Sequence, residues 1–274
     1  MTSHEKLIPV THGKMFVREV GEGHPVILLH GFLGASEDFL EIAQELEGCR
    51  CVIPDLPGHG RSPLPKDSQH YSMRDAVKDL EDVCDAFDID NAAMLGYSMG
   101  GRMAIGFAAT CPQRLSHLIL ESASPGLMDE TERLFRREHD EKLASDALRY
   151  GMETFVDHWE GLPLFASQTS LTTEARRRQR SVRVNQNSEG IAFSLRQLGT
   201  GSQPQYWSEL GSFRVPTLLV TGQYDSKFTR IAGQMARRIP DALSVVVFAA
   251  GHNVHLETPA IFTAMVRKFL AEEK

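Results

Sequence analysis

The residues best equipped for chemistry centre on a serine. Ser98 stands in Gly96-Tyr97-Ser98-Met99-Gly100, directly behind the apolar run Ala92-Ala93-Met94-Leu95 and ahead of a helical pattern. A serine between glycines in that context predicts a sharp strand-to-helix turn, because the tight backbone leaves no room for neighbouring side chains. A serine hydroxyl is a weak nucleophile and a weak base. It needs a histidine to take its proton and a carboxylate to hold that histidine. The chain supplies both in order: Asp225, in Gly222-Gln223-Tyr224-Asp225, and His252, in Ala250-Gly251-His252, each just past an apolar run expected to be a strand. His255 is the rival base and could form a His-x-x-His metal pair with His252, while Asp241 and Glu257 are weaker candidates for the acid. His252 is preferred because it follows a glycine at the strand end, whereas His255 lies beyond it, where packing is the simpler role. After the first buried strand comes His30-Gly31-Phe32, where the backbone N–H of Phe32 could join that of Met99 in stabilising a developing oxyanion.

Bringing these groups together requires strands that end on one side of a sheet. Val26-Ile27-Leu28-Leu29, Cys51-Val52-Ile53 and Ala92-Ala93-Met94-Leu95 are continuous apolar runs, the mark of strands buried on both faces, and further strands are expected near 117–121, 216–221 and 243–248. A hairpin is expected over 6–20. Between the strands lie helical patterns. Ser36 could cap one that buries Phe39, Leu40, Ala43 and Leu46 and stops at Gly48; Ser72 and Asp75 start another as a capping box. Others are expected over 101–110, near 229–238, and from Pro259 to about 270. The alternation predicts an α/β fold with a mostly parallel sheet flanked by helices. Residues 123–213 break the rhythm with helical patterns and no buried strand, so they read as a helical cap inserted into a core made of 1–122 and 214–274.

Composition narrows the chemistry. With 29 Lys and Arg against 36 Asp and Glu, the net charge of −7 offers no field for a nucleic-acid backbone, and no apolar stretch approaches a membrane span. The N-terminal residues show no basic start with an apolar run and cleavage site, so a cytoplasmic location is expected. Cys49, Cys51, Cys84 and Cys111 lack CxxC spacing and read as buried thiols rather than staples or a metal framework. Gly58-His59-Gly60 is not a dinucleotide fingerprint, and no Walker-type lysine follows a glycine loop, so no cofactor is expected; the loop 55–61 is expected to close one edge of the pocket. Nothing decides between a monomer and a small homo-oligomer. Residues 123–213 hold ten arginines and one lysine, against eleven and seven elsewhere. That skew favours planar, bidentate anion recognition, although Arg176-Arg177-Arg178 are expected mostly on a solvated face. Arg102, four residues after Ser98, would lie one helical turn from it and could bring a guanidinium to the pocket.

With these motifs in hand, the chain resembles the 2-succinyl-6-hydroxy-2,4-cyclohexadiene-1-carboxylate synthases, lyases of menaquinone biosynthesis on the α/β-hydrolase fold. The likeness runs over nearly the whole length. It is carried by His30-Gly31-Phe32-Leu33-Gly34, the elbow with Gly101-Arg102, Glu121-Ser122-Ala123-Ser124-Pro125-Gly126-Leu127, Trp159 with Pro163-Leu164-Phe165-Ala166-Ser167, Gly199-Thr200-Gly201-Ser202-Gln203-Pro204, Asp225-Ser226-Lys227-Phe228 and Gly251-His252-Asn253-Val254-His255. The His-Gly loop and the elbow are widespread among hydrolases. The Gly-Gly-Arg extension, the Ser-Pro-Gly-Leu entry and the Asp-Ser-Lys-Phe motif are much more specific.

The resemblance implies elimination of pyruvate from 2-succinyl-5-enolpyruvyl-6-hydroxy-3-cyclohexene-1-carboxylate, with Ser98, Asp225 and His252 serving proton abstraction. It also implies that Tyr97, Arg102, Arg133, Trp159 and Arg183 contact the substrate, whose three carboxylates would suit the arginines; Arg136 and Arg180 are alternatives to Arg133 and Arg183. Two other readings stay open: a carboxylesterase or C–C bond hydrolase with Ser98 as nucleophile, and a non-catalytic binding protein, against which the complete set of Ser98, Asp225 and His252 argues.

Overall fold

The computed structural model describes residues 3–271; the outermost residues assigned to the core, 1–2 and 272–274, lie outside them. The chain opens with the hairpin β1 (Ser3–Val10) and β2 (Gly13–Val20), followed by β3 (His24–Leu29). Next comes a 3-10 turn (Ser36–Phe39) running into the short helix α1 (Leu40–Glu45), then β4 (Cys49–Pro54), α2 (Met73–Ala86), β5 (Ala92–Tyr97), α3 (Met99–Thr110) and β6 (Leu115–Glu121). Three longer helices follow: α4 (Glu130–Glu160), broken at Gly151, then α5 (Thr173–Val184) and α6 (Ser188–Leu198). The sheet resumes with β7 (Thr217–Gly222), α7 (Ser226–Ala236), β8 (Ala242–Val247), the one-turn α8 (Val254–Glu257) and α9 (Pro259–Ala271).

The eight strands form one sheet in the order β1-β2-β4-β3-β5-β6-β7-β8. Only the pairings made by β2 are antiparallel; β4 through β8 run parallel, so their C-terminal ends share one edge. Every residue of β5 and β7 is buried, as their unbroken apolar runs require of strands covered on both faces. One apolar layer packs α2 and α3 on one face, and a second packs α1 and α9 on the other. No helix among the described residues is long and apolar enough to cross a membrane.

The segment between β6 and β7 has its own apolar cluster. Leu143, Ala144, Ala147, Phe155 and Val156 of α4 meet Ile191, Ala192 and Leu195 of α6, and Leu33 from the loop after β3 joins them. This cluster seats the helices over the strand ends.

Local sequence rules held where caps had no competitor. Ser72 and Asp75 form the full capping box at α2. Ser36 does not cap: the cap position falls to Ala35, and the Ser36 N–H donates to the buried carboxylate of Asp55 at 2.6 Å, which tightens the segment into a 3-10 turn before α1. Two helices also begin earlier than their apolar patterns suggest. The first, α3, starts at Met99 on the elbow itself, and α7 starts at Ser226 with the Asp225 side chain accepting from the Phe228 N–H at 3.1 Å.

Candidate active site

Ser98 ends the turn from β5 into α3 at φ 50° and ψ −103°, a left-handed conformation that a non-glycine residue holds only under constraint. The constraint is visible: the Ser98 N–H donates to the Glu121 carbonyl at 2.8 Å, and its own carbonyl accepts from the Arg102 N–H at 3.0 Å. A Cβ on Gly96 would come within 2.5 Å of the Gly100 carbonyl oxygen, and one on Gly100 would strike the Leu29 carbonyl, so both glycines are sterically required. As the first residue of α3, Met99 has a backbone N–H that the helix cannot use internally.

Three strand ends bring Ser98, Asp225 and His252 together. His252 Nε2 lies 3.0 Å from Ser98 Oγ, and His252 Nδ1 lies 2.6 Å from Asp225 Oδ2. Asp225 and His252 are both buried, and the cap bond to the Phe228 N–H fixes the carboxylate's other oxygen. Phe228 packs 4.6 Å from the His252 ring, and Glu257 accepts from the Gly251 N–H at 2.8 Å, pinning the loop that carries the histidine. Such a chain can move a proton from the hydroxyl to the imidazole, with the carboxylate holding the ring tautomer. The rivals have other tasks. His255 Nδ1 sits 2.7 Å from Glu121 and its ring stacks on Phe39, while Glu257 holds the loop.

Ser98 and His252 open into a cavity of about 350 Å³ whose walls include Phe32, Tyr97, Met99, Trp159, Phe165 and Phe228. Its charged lining is cationic, Arg102, Arg136 and Lys227 with no Asp or Glu among the described residues, and His139, Ser124, Ser194 and Thr200 are further polar residues beside Ser98 and His252. Burial, with Arg136 second, pushes the Arg102 guanidinium down to about 9, against the opposing pull of Asp140. It stays charged at neutral pH, but under-compensated, a state that favours an incoming anion. Asp140 is buried and bonds Arg136 Nε at 2.8 Å, yet its Oδ2 has no hydrogen-bond partner among the described residues. Burial, with Glu121 next, raises Tyr97 well above the ordinary phenol value, so its hydroxyl stays protonated.

Relatives fit this geometry. The family model for the alpha/beta hydrolase fold matches residues 24–259. A Bacillus subtilis protein, provisionally named a 2-succinyl-6-hydroxy-2,4-cyclohexadiene-1-carboxylate synthase, is 41% identical over 245 residues, 89% of each chain. The chain belongs to the 2-succinyl-6-hydroxy-2,4-cyclohexadiene-1-carboxylate synthase family. A Salmonella typhimurium synthase of that name is 32% identical over 86% of this chain and 89% of its own. The structure of MenH from S. aureus superposes with a TM-score of 0.89 at 34% identity, covering 95% of this chain and 98% of that one.

For this synthase-family chain, the residues singled out from sequence divide by location. Phe32, Tyr97, Ser98, Met99, Arg102, Trp159 and His252 all line the cavity, and Asp225 stands directly behind His252. Arg133 does not line it. Its guanidinium lies 3.4 Å from Glu130 and 3.3 Å from the Gln203 carbonyl, while Arg136, one turn on along α4, enters the cavity in its place. Arg183 is buried on the far side of Phe165, bonded to Glu160 at 3.0 Å and Gln168 at 3.3 Å, in a second cavity of about 450 Å³ that shares the Phe165 wall. The loop 55–61 packs on α6 through Gly58, which faces Gly190 and Phe193, while the Gly60 N–H donates at 2.8 Å to Gln186 between α5 and α6; the loop is not part of the cavity lining. Sequence reasoning passed over His139 and Lys227 as cavity residues. The lysine had a visible signal, its place in Asp225-Ser226-Lys227-Phe228, whereas His139 had none.

Proposed function

We propose that this protein eliminates pyruvate from 2-succinyl-5-enolpyruvyl-6-hydroxy-3-cyclohexene-1-carboxylate to give 2-succinyl-6-hydroxy-2,4-cyclohexadiene-1-carboxylate, the product for which its synthase relatives are named. The observation that carries the reading is a cavity holding three cationic side chains and no carboxylate directly beside the Ser98–His252–Asp225 chain. A tricarboxylate fits that charge.

In this mechanism His252 takes the Ser98 proton, and the oxygen so activated removes the ring proton beside the succinyl ketone. The electron pair moves out onto the succinyl ketone oxygen as an enolate, and the Phe32 and Met99 N–H groups hold that oxygen. The pair then forms the C2–C3 double bond as the existing C3–C4 double bond shifts to C4–C5 and the bond from C5 to the enolpyruvyl oxygen breaks, and the leaving enolate of pyruvate collects the abstracted proton from the Ser98 hydroxyl at carbon. The hydroxyl regains its own proton from His252. Atoms and charge balance without oxidation, so the reaction calls for no cofactor. Asp225 orients His252; Arg102 and Arg136 grip carboxylates; Tyr97 and Trp159 shape the walls. The helices of 123–213 act as a cap on the core, and the buried thiols suit a cytoplasmic enzyme.

The test is pyruvate release from freshly generated substrate, followed through lactate dehydrogenase, beside turnover of a nitrophenyl ester. Rapid pyruvate release with little ester cleavage is expected. Ester cleavage with pyruvate release no faster than the spontaneous rate would replace the lyase with a carboxylesterase using Ser98 as nucleophile.

A further inference from the structure

The motif Gly199-Thr200-Gly201-Ser202-Gln203-Pro204 carries part of the family resemblance, yet none of its side chains takes part in the proposed reaction. Its position is distinctive. Arg102 Nη1 donates to two acceptors, the Leu198 carbonyl at 2.7 Å and Gln203 Oε1 at 2.5 Å, and both lie where the chain leaves α6 for the sheet. Gln203 is 1% exposed, its Nε2 donates to the Pro204 carbonyl at 3.4 Å, and its own carbonyl accepts from Arg133 Nη2 at 3.3 Å. The rest of the motif lies flush on α4. A Cβ on Gly201 would come within 2.7 Å of the Arg133 carbonyl, and one on Gly199 within 2.5 Å of Asp140 Oδ2. Gly199 and Thr200 also line the reaction cavity.

We propose that Gln203 is the positioning residue for Arg102: its amide oxygen and the Leu198 carbonyl hold the guanidinium towards the cavity, and the loop 199–204 ties that orientation to α4. The chemistry favours a glutamine here. A neutral acceptor fixes the direction of the guanidinium without cancelling its charge, which remains available to a substrate carboxylate. A carboxylate would hold Arg102 more tightly and compete with the anion it is meant to bind. Arg133, which stays outside the cavity, gains a role through the same residue by bracing the Gln203 backbone.

The inference rests on Arg102 binding a substrate carboxylate, so the experiment separates the two. KM and kcat for pyruvate release are measured for Gln203→Met, Arg102→Ala and the double variant, with melting temperatures. Gln203→Met is expected to raise KM about tenfold with a much smaller change in kcat, since a bond to a charged group is lost away from the reacting carbon. In the Arg102→Ala background the same change is expected to add less than twofold. Gln203→Glu keeps shape and acceptor, so it is expected to melt within a few degrees of wild type while raising KM at least as much. A full tenfold increment from Gln203→Met in the Arg102→Ala background, or an unchanged KM in both Gln203 variants while Arg102→Ala raises it, overturns the positioning role. An unchanged KM in Arg102→Ala removes the carboxylate reading, and the proposal falls with it.

Discussion

The sheet and the helices above it hold their charged groups in opposite ways. At the strand ends, Asp225 and His252 are fully engaged with each other and with the backbone, each fixed by the end of β7 or the loop after β8. In the helical segment, Arg136 leans on Asp140, Arg183 on Glu160, and Arg133 on Glu130, so a helix turn decides which guanidinium meets the cavity. A strand end delivers a side chain to one place whatever its neighbours do. A helix offers a residue every 100°, and a shift of three positions exchanges one arginine for another. The groups proposed to react therefore sit at strand ends, and those proposed to grip the anion come partly from α4.

The contrast predicts its largest effect at the elbow. Ser98→Ala removes the group next to both reacting protons, so kcat for pyruvate release should fall by about 10³-fold or more, while the melting temperature holds within a few degrees because alanine keeps the Cβ that strains the backbone at φ 50°. Retention of more than a tenth of wild-type kcat would detach the hydroxyl from the reaction. Arg102→Ala comes next, with a rise in KM of roughly 30-fold to 100-fold, the cost of a buried charge-assisted bond. An effect on kcat alone would instead place Arg102 at the reacting atoms.

The same difference explains what was legible in the sequence. Ser98, Asp225 and His252 could be picked out together because each lies one to five residues past the end of a strand, and the sheet converts that spacing into proximity. Phe32, a cavity wall in the loop after β3, follows the same logic. The helices between β6 and β7 could be expected but not phased. The strong hydrophobic stripe that would orient α4 is interrupted at Gly151, where φ is 77°, and its polar residues outnumber the buried ones, so no periodicity fixes which of Arg133, Arg136 and Arg137 turns inward. Ser36 failed as a cap for a reason no local pattern contains, the buried Asp55 carboxylate nineteen residues away in sequence.

A comparison inside α4 sharpens the point. Arg136→Ala should raise KM about tenfold, since it removes a cavity guanidinium and leaves Asp140 buried without its partner. Arg133→Ala should change KM by a few-fold at most, acting only through the Gln203 carbonyl. The reverse order, measured side by side with intact melting temperatures, would mean that the helix presents its other turn to the substrate.

The smallest effect lies where the two regions meet. His59 sits in the loop that packs on α6, its ring 5.3 Å from His30 and edge-on to Phe32 at 5.8 Å, with Nε2 buried and unpartnered among the described residues. Burial, reinforced by His30, pushes its pKa down to about 3, and burial takes His30 to about 4. An unfolded chain binds the His59 proton near the ordinary value of 6.5, so below that pH the unfolded state holds more protons than the folded one. The stability contributed by the neutral ring is therefore complete above about pH 6.5 and falls as pH drops towards about 3. In His59→Gln that titration is absent, while the other groups, including Asp38 with its pKa raised by burial to about 6, titrate in both proteins. Urea unfolding at pH 7.5 and pH 5.0 should then show wild type losing about 1–2 kcal/mol relative to the variant, with full folding at the higher pH in both. Parallel pH dependence would mean that water reaches this contact and solvates the charged ring in the folded chain, where His59 meets Phe32 in the loop after β3.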